Sequence, residues 1–188
     1  MVKDKTKKMT AAKERIILSA ESLFSKNGFE ATSVNIIIST AKVSKGAFYH
    51  HFNSKDDLIS AIIDFEHSKN PTLPSTEINS LSPEENFKKE ISRWFQSLDD
   101  TKHLLSWMIP LISHPVMKAK FLEMEPEADK VKDYLSHLLS EINVENVTSE
   151  ATVLYHFFAG IKFELSIYPQ LNLIELEEII LNKYLKNK

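Results

Sequence analysis

The sequence predicts an all-α protein, and three observations carry the prediction. Glycine occurs only three times in 188 residues, too few for the many tight turns of an all-β chain. Apolar residues recur at helical spacing through most of the chain. Residues that start and stop helices stand at the ends of those stretches.

The first helix is expected over residues 10–26, where Ile16, Ile17, Ala20, Leu23 and Phe24 mark one face. Asn27-Gly28 stops it, because glycine takes a left-handed C-terminal position without steric cost. A short second helix is expected over 33–41, capped by Thr32 or Ser33. Lys42-Val43-Ser44 leaves room only for a tight turn, and Ser44 is a natural N-cap for a third helix over 45–51. Ser54-Lys55-Asp56-Asp57 resembles a capping box that opens a fourth helix reaching about Ser68. Residues 70–76, Asn-Pro-Thr-Leu-Pro-Ser-Thr, form the clearest linker.

Beyond the linker a fifth helix is expected over 82–98, with Ser82 as cap, Pro83 at its first position and acids in its first turn. Further helices are expected over 104–112, 116–124, 126–142, 148–167 and 173–185, about nine in all with the 116–124 piece counted as an appendage. No internal repeat is visible.

Composition excludes several function classes. Hydrophobic residues at 43% and charged residues at 26% rule out wholesale disorder. The absence of cysteine removes disulfides, thiol chemistry and thiolate zinc sites. Scarce glycine leaves no phosphate-cradling loop of the GxGxxG or GxxxxGK[ST] kind. No apolar run approaches the roughly 18 residues of a membrane span, and no apolar core follows the charged start, so a membrane partner and a secretory signal are not expected. The cytoplasm is the expected compartment. His103, His114, His137 and His156 form no ligand pair at helical spacing, and no HExxH occurs, so neither a metal nor another cofactor is expected. No nucleophile arrangement for an enzyme is seen.

Charge is unevenly placed. Residues 1–58 carry a net +4 and the remainder a net −7, which suggests an anionic partner for the N-terminal end alone. A short helix, a tight turn and a second short helix make a helix-turn-helix, whose second helix enters the major groove of DNA. Such a helix needs a small start for close approach and phosphate anchors on its flanks. Lys45-Gly46-Ala47 supplies the start, Tyr49, His50 and His51 supply donors, and Lys55 places a cation at the next helix start.

These residues resemble a family. Residues 27–34, Asn-Gly-Phe-Glu-Ala-Thr-Ser-Val, and 43–58, Val-Ser-Lys-Gly-Ala-Phe-Tyr-His-His-Phe-Asn-Ser-Lys-Asp-Asp-Leu, are similar in order and spacing to the DNA-binding signature of the tetracycline-repressor (TetR) family. The resemblance covers residues 10–60 or so. It implies that Ser33 and Asn35 bind a phosphate, and that Lys45, Gly46 and Ala47 face bases. It implies that Tyr49 gives its hydroxyl to a phosphate, that His50 meets a base edge or phosphate with His51 beside it, and that Lys55 binds phosphate. Phe48 and Phe52 become packing residues, and the Lys3 to Lys8 arm a source of added contacts. Two positions depart from the pattern. Lys42 stands where the family has glycine, so it must take a left-handed conformation at roughly 1 kcal/mol, or the turn differs. Ile38 stands where the family has alanine, and its bulk bears on the crossing of the second and third helices.

The reading is thus a ligand-relieved repressor, a non-enzyme that binds a palindromic operator in double-stranded DNA as a homodimer. Residues 1–53 form the DNA-binding domain and 54–188 the ligand-binding and dimerisation domain. The last two helices are the expected dimer seam, with Leu154, Phe157, Phe158, Ile161, Leu165, Ile174, Ile179 and Ile180 as its apolar supply. Gly160, unfavourable inside a helix, is expected at a close helix approach there. The inducer is expected to be small, apolar or aromatic, and neutral or cationic, lined by Trp94, Phe95, Trp107, Met108, Phe121, Tyr155 and Phe158. The alternative is an all-α carrier or enzyme whose N-terminus only resembles the motif. A third reading is a DNA-binding scaffold without a ligand cavity.

Overall fold

A computed structural model describes residues 10–69 and 81–186. Its helices are α1 (Ala11–Asn27), α2 (Val34–Ala41), α3 (Lys45–His51), α4 (Asp57–Lys69), α5 (Pro83–Met108), α6 (Pro115–Glu141), α7 (Val147–Ile167) and α8 (Leu173–Leu185). A single 3-10 turn, Ile109–Leu111, follows α5, and no strand occurs among the described residues. The chain forms two compact units that divide between Phe65 and Glu66, inside α4. The predicted linker at 70–76 and the Lys3 to Lys8 arm lie outside the described residues.

In the first unit, local chemistry sets every helix end. Thr10 caps α1 by accepting from the Lys13 amide, and Gly28 ends it at φ 81°. Ser33, rather than Thr32, caps α2; the Thr32 hydroxyl instead donates back to the Gly28 carbonyl at 2.8 Å. Lys42 does take the left-handed conformation, at φ 53° and ψ 48°. Its amide donates to the Ile38 and Ser39 carbonyls, so the C-terminal groups of α2 are satisfied despite the missing glycine. Ile38 is half-buried and its carbonyl also accepts from the Val43 amide at 3.3 Å. Ser44 caps α3 through the Ala47 amide. Asp57 accepts from the Asn53 amide at 2.8 Å while its own amide donates to the Ser54 hydroxyl, which opens α4. Ile16, Phe24, Ile37, Phe48, Leu58 and Ile62 meet in a core from which water is excluded. The apolar burial stabilises the unit in proportion to area, about 2 kcal/mol for each such side chain.

In the second unit, α5 opens on a full capping box between Ser82 and Glu85. The core joins Phe87, Ile91 and Phe95 of α5 to Leu135 and Leu139 of α6, Leu154 and Phe158 of α7, and Ile180 and Tyr184 of α8. Helix α7 packs on α5 and α6, and α8 packs on α5.

Two expected breaks are absent, which leaves eight α-helices. Residues 98–104 continue α5, because their polar groups are satisfied along the helix: Thr101 donates to the Ser97 carbonyl, Gln96 to Asp100, and Lys102 to Asp99. The expected pieces 116–124 and 126–142 are one helix, α6, with Pro126 inside it. An interior proline costs about 3 kcal/mol. Burial of Met117 on one side and Val131, Leu135, Leu138 and Leu139 on the other offsets that cost.

Candidate nucleic-acid interface

The second helix of the tight pair presents its polar start outward. Lys45 and Gly46 are exposed, Ala47 is half-buried, and Tyr49 and His50 are exposed. Phe48, between them, is fully buried; it meets the Tyr49 ring edge-on and the Phe52 ring at a tilt. That alternation is what one turn of helix dictates when a single aromatic anchors it. Ser33 and Asn35, at the start of α2, are also exposed. The Ser33 hydroxyl is engaged as a cap, yet a hydroxyl retains a donor after accepting one amide.

The flanks are tied down. Arg15 of α1 donates from Nε to the Ala41 carbonyl at the end of α2, at 3.3 Å. Lys55 donates to the Phe29 carbonyl and lies over that residue's ring. His51 is half-buried, and its Nε2 lies 3.3 Å from the Thr10 hydroxyl at the start of α1. Burial, with His50 and Lys13 nearby, lowers its pKa from the usual histidine value, so the neutral form dominates at pH 7. His51 thus joins α1 to α3, while His50 faces solvent. Sequence reading did not single out Arg15 or Thr10; their partners are 26 and 41 residues away.

The predicted ligand residues divide. An outer cavity of about 660 Å³ is bordered by Phe121 and Tyr155. An inner one of about 110 Å³ is bordered by Trp94, Tyr155 and Phe158. Phe95 and Trp107 are buried in the unit's interior, and they and Met108 border neither cavity. Val131 and Lys162 border both cavities and were missed. Lys162 had a sequence signal: it is the only charged residue between Ala151 and Phe163.

A short helix held by a tight turn, with small and polar residues outward and aromatics inward, defines a helix-turn-helix protein. Comparison with known proteins agrees. The profile of bacterial regulatory proteins of the tetR family matches residues 16–62. The chain is 31% identical over 129 residues to the HTH-type transcriptional regulator YerO of Bacillus subtilis (strain 168), covering 65% of this chain and 45% of that one. It is 27% identical over 182 residues to the HTH-type transcriptional regulator YuxN of the same strain, covering 91% of this chain and 61% of that one. The chain therefore spans less than two thirds of either relative. A solved structure of a transcriptional regulator (TerR/AcrR family) from Aquifex aeolicus VF5 is similar with a TM-score of 0.66 at 26% identity, covering 93% of this chain and 98% of that chain. The motif and the profile match thus make residues 16–62 similar to the DNA-binding part of bacterial regulatory proteins of the tetR family, and the solved structure shares the fold over nearly the whole chain.

Proposed function

We propose that this protein is a cytoplasmic transcriptional repressor that binds a palindromic operator as a homodimer and is released by a small apolar or aromatic ligand. The observation that carries the reading is the outward row Ser33, Asn35, Lys45, Gly46, Tyr49 and His50 on a head whose core is closed by Phe48 and Phe52. In this reading residues 1–53 contact DNA and 54–188 bind ligand and dimerise. Lys45, Gly46 and Ala47 meet base edges, while Ser33, Asn35, Tyr49 and Lys55 hold phosphates, with His50 and His51 at the groove. Gly46 has room for a side chain: a Cβ there meets only the Ser44 hydroxyl, at 3.9 Å. Nothing in the chain itself demands glycine there, which fits close approach to an outside partner.

One recognition helix reads too few bases for an address, so two heads related by a two-fold axis are required. The apolar supply of the seam differs from the sequence expectation. Leu154, Phe158, Ile161, Leu165 and Ile180 are consumed by the unit's own core. Val153, Phe163 and Ile167 of α7 and Ile174 and Ile179 of α8 are exposed instead. Gly160 lies on the exposed side of α7, where an added Cβ would meet nothing within 4 Å. A second copy of the chain is the occupant that suits both features. Repression is relieved when ligand favours a conformation whose two heads no longer match successive major grooves.

The test is binding of the purified protein to the duplex upstream of its own gene. Tight binding to a palindrome there, with a steep salt slope and a dimer's stoichiometry, is expected. Equal, weak binding to every duplex sinks the operator reading.

A further inference from the structure

Lys162 is the single lysine of α7, which carries no arginine. It borders both cavities of the second unit, and Val131 and Tyr155 share that position with it. It makes no hydrogen bond and no ion pair among the described residues. Its surroundings are mostly apolar, and the outer cavity also carries His67, Ser113 and Lys118. On the inner side stand Trp94, Leu98 and Phe158; Arg93 is there too, but its guanidinium is held by Glu90 at 2.8 Å. On the outer side stand Phe121, Leu122 and Met124. Two carboxylates border the outer cavity, Glu125 and Glu127. Glu127 is paired with Lys130 at 2.6 Å, and the protein crowded around the Lys162 ammonium lowers its pKa from the usual lysine value.

Lys162 is exposed to the space it borders and has no counter-ion among the described residues, so its ammonium is available to an acid that enters there. A second donor in the inner cavity is also unused. Trp94 is 8% exposed, and its indole N–H finds no acceptor among the described residues. Two unspent donors bordering the inner cavity, Lys162 and Trp94, suit a ligand that brings acceptors and negative charge. A cationic ligand would instead meet Lys162 as a like charge. The outer cavity, at about 660 Å³, is of the size that holds a small organic molecule.

We propose that the ligand of this cavity is an organic monoanion, an apolar or aromatic body bearing one carboxylate or similar acid, and that Lys162 receives the acid. The inference rests on the ligand-binding reading of the second unit above, and it replaces the expectation of a neutral or cationic ligand. The aromatic part lies against Trp94 and Phe158, whose rings stand edge-on at 4.9 Å.

The experiment uses two dyes of nearly one shape. 8-Anilinonaphthalene-1-sulfonate is an anion, and N-phenyl-1-naphthylamine is its neutral counterpart. The full chain is titrated with each by fluorescence, as wild type, Lys162→Met, Lys162→Gln and Lys162→Arg. The wild type is expected to bind the anion about tenfold more tightly than the neutral dye, the worth of one charge-assisted hydrogen bond. Both neutral variants should erase that preference while leaving the neutral dye unchanged, and Lys162→Arg should keep it. 2-Naphthoate should displace the anionic dye, and naphthalene-2-carboxamide should not. An unchanged preference in the Met and Gln variants, equal loss of both dyes, or no binding of either dye to wild type overturns the proposal. Duplex binding by the same preparations separates this outcome from the regulator reading. If duplex binding is intact and the charge preference is absent, the acid site alone falls. If the charge preference is present and duplex binding is absent, the acid site stands on a carrier.

Discussion

Lys55 donates its ammonium to the carbonyl oxygen of Phe29 at 2.8 Å and lies 4.0 Å from the centroid of the same residue's ring. One side chain at the start of α4 thereby closes the connection between α1 and α2. The hydrogen bond is charge-assisted and the ring contact is a cation–π pair, so the ammonium is positioned before any DNA arrives. Lys55→Ala should lower the stability of the first unit by about 1 kcal/mol. It should also weaken binding alike on all duplex sequences and reduce the salt slope by about 1. Thermal melts and anisotropy titrations over a salt series check both. A changed base preference at constant slope would show that Lys55 is no phosphate anchor.

Gly46→Ala should separate stability from binding. The new methyl meets no close neighbour in the chain, and alanine favours the helix by roughly 0.5–1 kcal/mol. The melting temperature should therefore rise. Operator affinity should fall, because the methyl occupies space proposed for base edges. Affinity that rises together with stability removes Gly46 from the interface.

Lys42 holds φ 53° where a side chain is disfavoured. Lys42→Gly should stabilise the head by up to about 1 kcal/mol, and Lys42→Val should destabilise it by a similar amount. Chemical denaturation followed by circular dichroism measures both. Val43 and Ser44 remain, so the turn itself should persist in either variant.

Ile174 is 74% exposed at the start of α8. In a single chain, Ile174→Asp should change stability by no more than about 0.5 kcal/mol. In a dimer sealed by α7 and α8 it should shift the sedimentation profile from dimer to monomer and lower operator affinity. A dimer that survives this change, together with Phe163→Asp, places the seam elsewhere.

Glu150 links α7 to α8. Its carboxylate accepts from the Lys183 ammonium and from the Tyr184 hydroxyl at 2.7 Å. Those bonds hold its pKa below the usual glutamate value. The folded pKa is depressed, so the stabilisation is present above the unfolded glutamate pKa and is lost as pH falls through the folded one. Glu150→Gln should lower stability at neutral pH and flatten the acid limb of the stability curve. Urea denaturation at a series of pH values reads both effects. An unaltered acid limb assigns acid sensitivity to other carboxylates.

Helix ends and the recognition turn were legible in the sequence because the interactions that make them span only a few residues. Ser44 caps α3 through an amide three positions away, and Ser82 and Glu85 cap α5 reciprocally over the same distance. The left-handed Lys42 was one of two outcomes implied by the family resemblance, in which glycine holds that position, and the structure takes it. Tertiary structure decided what depends on distant neighbours. Helix α6 runs through Pro126 because burial on both sides of it outweighs one lost bond, and no local pattern reports that burial. The sequence offered Leu154, Phe157, Phe158, Ile161 and Leu165 of α7 as one apolar supply, yet only packing against α5 and α6 sends Leu154 and Phe158 inward and leaves Val153 and Phe163 outside. The same packing sets Lys162 beside two cavities, where its charge finds no partner among the described residues. Caps and turns are short-range equilibria that a few side chains settle; the face a helix buries, and the space it encloses, are settled by which other helices compete for the same apolar surface.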